Sequence, residues 1–542
     1  MATRAPAMSK LLLQPNTEES DEAILAKLGY KQEFRREFTP LEVSGLAFSF
    51  TGVLPGIAAM LFNAIPNGGP VAMVWGWALA CPFVMCVGLA MAELASAAPT
   101  SGGLYYWTYS LASPRCRNFL SWMVGYANTI ENIAGVASGN WACAIQITAV
   151  ISIATDQAYT TNNKQLYGIY AALILSHAVL VSLGTKVLAR LQRLYATVNL
   201  CLCFIVIIAL PIATPHEYRN SASFALGEFT NLNGWPSGFA FILSLLSPLS
   251  IMAGYDASVH ISEEASNAAS AIPWAITSSI AVSAVLGLGI NITIAFCMGT
   301  DLGGLLNSPM GQPMAQILYN SFGKTTTLAL WCLIISSMYM VVSNALLVGS
   351  RQTFAFARDG ALPLSRYLYR INGYTKTPVN TVWFDAVFIL VIGLLAFVST
   401  PAINAIFTIG VTASYVSFIT PITTRFAFKN DFKPGPFHLG KLSFPIAVIA
   451  VSGMVVMIIV FFFPSTPQTT VQEMNYTVVV LGGYMFLAVS WYYFPVYGGV
   501  HWFKGPVSNL TPAITGDHRD HGSVSEKEEQ RDADIYVSVL DV

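Results

Sequence analysis

Residues 247–266 read SPLSIMAGYDASVHISEEAS. The stretch begins as an apolar helix, is interrupted around Gly254 and Asp256, and ends in the acidic pair Glu263 and Glu264. An ionised carboxylate inside a bilayer is costly unless it faces a cavity or a partner. An interrupted helix is tolerated at membrane depth only where its freed backbone groups meet protein, water or a ligand. The stretch therefore predicts a binding site, provided that the chain spans a membrane.

The composition is that of an integral membrane protein. Of the 542 residues, 54% are hydrophobic and only 10% are charged, whereas soluble domains contain about 25% charged residues. The net charge of −1 argues against a nucleic-acid partner, which would require a basic face. The eight cysteines fall almost entirely in apolar runs and form no CxxC pair, so we expect neither a disulfide framework nor a metal or other cofactor.

Apolar segments along the chain predict an all-α membrane protein with about twelve transmembrane helices, since about 20 apolar residues cross a bilayer. These spans, numbered 1 to 12, lie near 44–65, 70–94, 118–150, 166–184, 194–213, 238–259, 276–298, 326–349, 379–398, 402–422, 443–463 and 476–498. Lys and Arg are concentrated in the short loops of one side, which predicts that both termini are cytoplasmic. Between spans 7 and 8, residues 312–323 are predicted to form a short amphipathic surface helix.

Span 1 contains a second interruption, in the sequence SFTGVLPG at 49–56. Pro55 lacks an N–H group and clashes with the preceding helical turn. Spans 1 and 6 are the first of two successive sets of five, and interrupted helices at corresponding positions are typical of transporters built from inverted repeats. We therefore predict a disordered or loosely amphipathic cytoplasmic tail (1–40), a first repeat (41–225), a second repeat (226–425), two peripheral spans (426–500) and a disordered cytoplasmic tail (501–542).

Four motifs, in this order along the chain, resemble the amino acid–polyamine–organocation (APC) transporters. They are FSFTGVLPGIA at 48–58, the block from ELASA at 93–97 to Trp107, GYDASVHISEEAS at 254–266 leading to Pro273, and RQTFAFARDG at 351–360 followed by Leu362 and Pro363. Within this superfamily the chain is most similar to the fungal amino acid/choline group, which includes GABA permeases and choline permeases. The resemblance implies a LeuT-like five-plus-five inverted repeat and alternating access.

The two interruptions supply the predicted substrate-binding residues. A half-helix that begins in span 1 exposes N–H groups at the positive end of its dipole, which suits a carboxylate. Span 6 offers free carbonyl groups for an amine, with Asp256 as a proton carrier, gate partner or countercharge, or else as a structural residue. Tyr255 is either a lid over the substrate, which a quaternary ammonium would favour, or a packing aromatic. The predicted residues are Ser49, Thr51, Gly52, Val53, Gly56, Gly254, Tyr255, Asp256 and Ser258.

Glu131 is the second acid within a span. It shares a helical face of span 3 with Asn128 and with small residues, so it faces inward and is a candidate for proton coupling or cation contact. A buried glutamate held neutral by hydrogen bonds is the alternative. Asp385 and His177 are interpreted as structural.

Charged residues at the cytoplasmic ends of the spans are predicted to form a gate. Glu93, Glu263 and Glu264 would pair with Arg115, Arg351 or Arg358. The spacing of His260 and Glu263 is too weak a pattern to predict a metal site. Hydroxyl and amide groups of span 8 could complete a sodium site, but hydrogen bonds between helices are the favoured explanation; these residues are Ser336, Ser337, Ser343 and Asn344.

The sequence thus predicts a secondary active, proton-coupled importer of a small amine-bearing solute, foremost an amino acid such as GABA. A choline or polyamine permease is the alternative, and a nutrient sensor with transporter architecture is a second one. A membrane-embedded enzyme would need reactive side chains clustered at one depth, which the isolated histidines do not supply. We expect the plasma membrane, with the vacuolar membrane as an alternative.

Overall fold

The computed structural model describes residues 20–159, 161–397, 400–468, 470 and 474–510. One short antiparallel pair, β1 (Asn67–Gly68) and β2 (Thr230–Asn231), accompanies the helices. The α-helices in chain order are α1 (Asp21–Lys27), α2 (Pro40–Thr51), α3 (Val53–Ala64), α4 (Gly69–Ala97), α5 (Gly103–Leu111), α6 (Arg117–Ala154), α7 (Asn163–Val181), α8 (Thr185–Ala213), α9 (Ala222–Gly227), α10 (Ser237–Ser244), α11 (Leu246–Ile251), α12 (Ala257–His260), α13 (Ala268–Cys297), α14 (Leu302–Leu306), α15 (Pro313–Arg358), α16 (Ser365–Leu368), α17 (Val379–Gly393), α18 (Thr400–Ala427), α19 (Ser443–Phe461), α20 (Thr477–Tyr492) and α21 (Gly499–Trp502).

The prediction of an all-α membrane protein is confirmed. Ten helical segments in the described part of the chain are long and apolar enough to cross a membrane. Two shorter apolar segments, at Ser237–Ile251 and Thr477–Tyr492, coincide with predicted spans 6 and 12. The division of 41–425 into two sequence repeats stays a prediction.

Long helices pack around the two interrupted ones. α13 lies along α4 and α2, while α6 packs against α15 and α18. The Trp77 indole donates to the carbonyl of Ala284 at 3.1 Å and fills the space that a side chain at Gly287 would occupy. α19 contacts α4 and α18, and α20 contacts α6 and α18, so the last two spans flank this core.

Both interruptions occur where the sequence predicts them. Gly52 separates α2 from α3 with φ 49° and ψ 56°, and Gly254 follows α11 with φ 81°. These are left-handed conformations that glycine adopts readily and other residues do not. The interruptions also touch, because a Cβ on Gly254 would lie 1.9 Å from the Phe50 ring and one on Gly56 would lie 2.9 Å from Ile251.

Three predicted features differ in the structure. Residues 20–39 are not a loose tail, since they include α1 and pack on the protein. Residues 503–510, within the predicted disordered tail, also make specific hydrogen bonds. Residues 1–19 and 511–542 lie outside the described residues. The helix predicted at 312–323 exists, with a non-helical kink at Gly323, but it is largely buried because apolar side chains such as Met314, Ile317 and Leu318 pack into the core.

Candidate functional site

The two interruptions line a cavity of about 150 Å³. Its wall includes residues of α2, α3, α6, α15 and α18 and of the segment after α10. Six of the residues predicted to bind substrate or proton line it, namely Thr51, Gly52, Gly56, Glu131, Gly254 and Asp256.

The half-helices present opposite backbone groups to this cavity. α3 begins at Val53 and Pro55 has no N–H, so the amides of Gly52, Val53 and Leu54 have no acceptor within the helix, and Gly52 carries the one that lies on the wall. Gly56 N–H closes that turn by donating to the Gly52 carbonyl at 2.8 Å. At the other interruption the last carbonyls of α11 lack intrahelical donors, apart from Pro248, which accepts from Met252 at 2.9 Å. The arrangement offers donors at one end and acceptors at the other, which fits a zwitterion.

Two carboxyl groups face the same space. Glu131 Oε2 accepts hydrogen bonds from Asn128 Nδ2 at 2.8 Å and from Ser417 Oγ at 3.1 Å. Asp256 lines the cavity from the other interruption. The described residues of the wall include no Lys, Arg or His, so the side chains favour a positively charged group on the solute.

The remaining predicted site residues lie behind the wall. Ser49 and Val53 are buried in α2 and α3. The Tyr255 ring packs against Phe418 with their centroids 5.7 Å apart, and Ser258 Oγ donates to the Tyr255 carbonyl at 3.4 Å. Asn128 does not line the cavity either, but its side chain donates a hydrogen bond to Glu131, which does. These five residues therefore support the site from behind.

Other wall residues were not predicted from the sequence. The Phe50 ring covers Gly254, and Asn132 follows Glu131. Ser414 lies on the wall and Ser417 bonds to Glu131 from the same helix, α18. Their i, i+3 spacing is the signal that could have marked an inward polar face on span 10.

Several other polar residues of the spans form helix-to-helix contacts, as interpreted from the sequence. His177 Nδ1 lies 3.1 Å from Asn140 Oδ1. Asp385 accepts from Thr353 Oγ1 at 2.9 Å. In span 8, Ser337 donates to Asn199, and Asn344 accepts from Gln192 Nε2 at 2.9 Å, so both residues join α15 to α8.

One end of the bundle is closed by buried ion pairs. Arg351 Nε lies 2.8 Å from Glu264 Oε1, and Arg358 Nη1 lies 2.9 Å from Glu263 Oε2. Glu263 also accepts from the amide of Ser101 at 3.0 Å. Burial alone would raise the pKa of Glu263, but the Arg358 charge and the hydrogen bonds outweigh it and lower that pKa. Two of the three glutamates predicted as gate residues, Glu263 and Glu264, thus pair with an arginine of α15, and we call this end the gate end.

The predicted partners of Glu93 are wrong. Glu93 pairs with Arg425, whose Nη1 lies 2.6 Å from Oε2, and it also accepts from Ser443 Oγ at 2.5 Å. These contacts join α4 to α18 and to the start of α19. Its partner lies 332 residues away in sequence, which no local pattern could have indicated.

Residues 20–39 form a strap over the gate end. Phe38 donates its amide to the Glu264 carbonyl at 3.0 Å and accepts from the Ser266 amide at 2.9 Å. Gln32 Nε2 donates to the Glu263 carbonyl at 2.9 Å, and Arg36 donates to the Ala265 carbonyl. The strap therefore bonds directly to the backbone that carries the gate glutamates.

The opposite end has an open vestibule of about 730 Å³. Met60 and Phe407 line both this vestibule and the inner cavity. The inner cavity therefore adjoins the vestibule.

Asp359 makes the strap sensitive to pH. It accepts from Tyr30 Oη at 3.0 Å, from Tyr105 Oη at 2.7 Å and from the Val507 amide at 3.2 Å. Burial raises its pKa from 3.8 to about 6. A carboxyl with a raised pKa binds its proton more tightly in the packed state, so packing strengthens as pH falls from about 6 toward 4 and is weakest above 6.

We therefore expect slower hydrogen exchange in residues 30–38 at pH 5 than at pH 7, after correction for the intrinsic rates. Because the pKa of Asp359 shifts from 3.8 to about 6, protonation can change the equilibrium constant for opening of the strap by about a hundredfold at most. Asp359→Asn removes the titration, so its corrected exchange should not change with pH. An equal pH response in this variant would contradict the role of Asp359.

Comparison with known proteins agrees with this architecture. The amino acid permease family matches residues 41–484. An uncharacterised amino-acid permease of Schizosaccharomyces pombe is 39% identical over 510 residues, which cover 93% of each chain. The GABA-specific permease of Saccharomyces cerevisiae is 36% identical, over 91% of this chain and 86% of its own. An amino-acid permease of Arabidopsis thaliana is 33% identical, over 91% and 97%. These matches extend along most of the chain and agree with its two interrupted helices and its multi-pass helical fold. The chain therefore belongs to the amino acid permease family of the APC superfamily, whose members are transporters and not enzymes.

Proposed function

We propose that this protein is a proton-coupled secondary transporter that takes up a small amino acid such as GABA. The proposal rests on the small cavity between the two interruptions. Free amide groups lie at the interruption of span 1, free carbonyl groups lie at that of span 6, and two carboxyl groups line the wall. A solute with a carboxylate and an amino group satisfies both sets at once. The similarity to a GABA-specific permease supports the same substrate class.

The solute's carboxylate would bind at the start of α3. Its charge is stabilised there by the amides of the first turn and by the helix dipole, whose effect is strongest within one turn of the end. The amino group would bind near Glu131 and Asp256. The described wall contains two acids and no basic side chain. The negative charges of these acids would be balanced by the positive charges of one amino group and one proton, while the solute's carboxylate is stabilised at the start of α3.

A choline or polyamine permease is the second candidate. Two carboxyl groups and the Phe50 ring would also attract an organic cation, through charge and through cation–π attraction. Such a solute has no carboxylate, so the amides at the start of α3 would be left without an acceptor. Unpaired buried donors cost about 1–3 kcal/mol each, which favours the amino acid.

We further propose that the gate end is cytoplasmic and that the protein acts at the plasma membrane. With that orientation, the open vestibule faces outward and the ion pairs close the inner side. Alternating access would then require Glu263 and Glu264 to separate from Arg358 and Arg351 and the strap to move from residues 262–266.

Uptake of labelled GABA, choline and putrescine into a permease-deficient yeast tests the proposal. We expect GABA uptake above the empty-vector control, competition by unlabelled GABA, and loss of accumulation with a protonophore. Choline or putrescine uptake without GABA uptake would establish the second candidate. Binding of GABA by the purified protein without any flux would instead indicate a sensor.

Glu131→Gln is expected to raise the apparent KM for GABA about tenfold or more. The substitution keeps the shape of the side chain and removes its charge, and loss of about 1.4 kcal/mol of binding free energy corresponds to a tenfold change in affinity. Asp385→Asn is the matched control, because Asp385 is a buried acid of a span that contacts Thr353 and not the cavity. Equal KM values in wild type and Glu131→Gln would exclude Glu131 from substrate binding.

A further inference from the structure

His260 lies between the cavity and the gate end. It is the last residue of α12 and its side chain is fully buried. Its Nδ1 atom lies 3.0 Å from the carbonyl oxygen of Ser101. Its Nε2 atom lies 3.6 Å from Oδ2 of Asp256, which lines the cavity.

These two neighbours determine where protons can reside. A carbonyl oxygen only accepts, so the contact with Ser101 requires a hydrogen on Nδ1. In a neutral imidazole, Nε2 then carries a lone pair that faces the Asp256 carboxyl. If Asp256 were ionised, two acceptors would face each other in a buried space, which is unfavourable. One added proton removes the conflict, either as an O–H on Asp256 or as an N–H on Nε2.

The same contacts connect His260 to the gate. The Ser101 carbonyl accepts from His260, and its amide donates to Glu263 at 3.0 Å. Thr100 Oγ1 also donates to Glu263, at 3.1 Å. Ser101 therefore links His260 to the carboxylate that holds Arg358.

The charged and titratable groups around this pair are assigned to other contacts. Glu131 of α6 faces the cavity with Asp256 and is held by Asn128 and Ser417. Tyr255 precedes Asp256 and packs on Phe418.

Beyond His260, the gate glutamates have their own arginines. Glu263 pairs with Arg358, and Glu264 pairs with Arg351. Neither ion pair involves the Asp256–His260 contact, so the gate arginines do not neutralise Asp256.

We infer that Asp256 and His260 together hold the co-transported proton and that His260 couples this proton to the gate. The inference rests on the proton coupling of the proposed function. A proton from the vestibule side forms one new O–H or N–H bond within the pair while the solute occupies the cavity. When the gate opens, that bond breaks and the proton passes to water at the gate end, so one proton enters and one leaves in each cycle.

His260→Asn tests the inference in proteoliposomes that contain the full-length chain. The amide Nδ2 of asparagine can still donate to the Ser101 carbonyl, but the side chain cannot take up a proton. We expect accumulation of GABA driven by an imposed pH gradient to fall at least tenfold. Exchange of internal for external GABA without a gradient should persist and should lose its pH dependence between pH 5.5 and 8. His501→Asn, at an exposed histidine of α21, is the matched control and should behave as wild type.

The outcomes separate the inference from the proposed function. If wild-type protein accumulates no GABA under a pH gradient, proton coupling itself is wrong. If wild type responds and His260→Asn accumulates GABA with an unchanged pH profile, the inference alone is overturned. Equal loss of exchange and accumulation in a folded His260→Asn protein would show a packing role and would also overturn it. Should this variant not be recovered as a folded protein, His260→Gln is read by the same criteria.

Discussion

Gly254→Ala is expected to abolish transport. The new Cβ would lie 1.9 Å from the Phe50 ring, and the backbone at this position has φ 81°, a conformation that costs a residue with a Cβ about 1–2 kcal/mol. The Phe50 ring covers the interruption and forms part of the cavity wall. The substitution therefore either pushes this ring into the cavity or separates the two interrupted helices. The measurement is labelled GABA uptake, normalised to the amount of protein at the cell surface.

Gly168→Ala is the control for this change. Gly168 lies inside α7, and a Cβ there would have no neighbour within 4 Å, so we expect wild-type uptake and a small gain in helix stability. Combining Gly254→Ala with Phe50→Ala relieves the clash but not the backbone strain, so partial recovery is expected. Normal uptake by Gly254→Ala alone would mean that the two interruptions are not held in this contact during transport.

Arg358→Ala is expected to loosen the gate end and to destabilise the protein by about 3–5 kcal/mol. The substitution leaves Glu263 fully buried without its cation. It also removes the guanidinium that lies 3.9 Å from the centre of the Tyr30 ring in the strap. Thermal unfolding of the purified protein should begin several degrees lower. A cysteine placed at Ser262, which is buried beside the strap, should react faster with a water-soluble thiol reagent.

A double substitution separates the loss of charge balance from the loss of packing. Glu263→Gln with Arg358→Met removes both charges and keeps similar volumes, so it should be more stable than Arg358→Ala. Lys433→Ala is the control, because its ion pair with Asp431 at 3.6 Å is highly exposed and such pairs contribute about 0–1 kcal/mol. Unchanged thiol reactivity and stability in Arg358→Ala would exclude this pair from closing the gate end.

Local properties of the chain determined its fold class and the position of both interruptions. Hydropathy over about 20 residues located the spans because a helix must bury an apolar surface of that length in lipid. Gly52, Pro55 and Gly254 located the interruptions because each acts on the backbone of its own helical turn. The same reasoning placed Thr51, Glu131 and Asp256 among the candidates, and all three line the cavity.

Tertiary structure alone decided which neighbours of these residues face the cavity and which lie behind it. A helix fixes the angle between its own side chains, whereas packing against other helices fixes its rotation, so Ser49 and Tyr255 could not be placed from their spacing. The partner of Glu93, the contact of His260 with Ser101 and the strap over residues 262–266 all join segments far apart in sequence. The strap is held by bonds to backbone groups and by a few buried side chains, among them Tyr30, Phe34 and Phe38, so it contains no apolar run of membrane-span length. Hydrophobic periodicity indicates which face of one segment is buried. The contacts that close the gate end depend instead on which distant segments pack together.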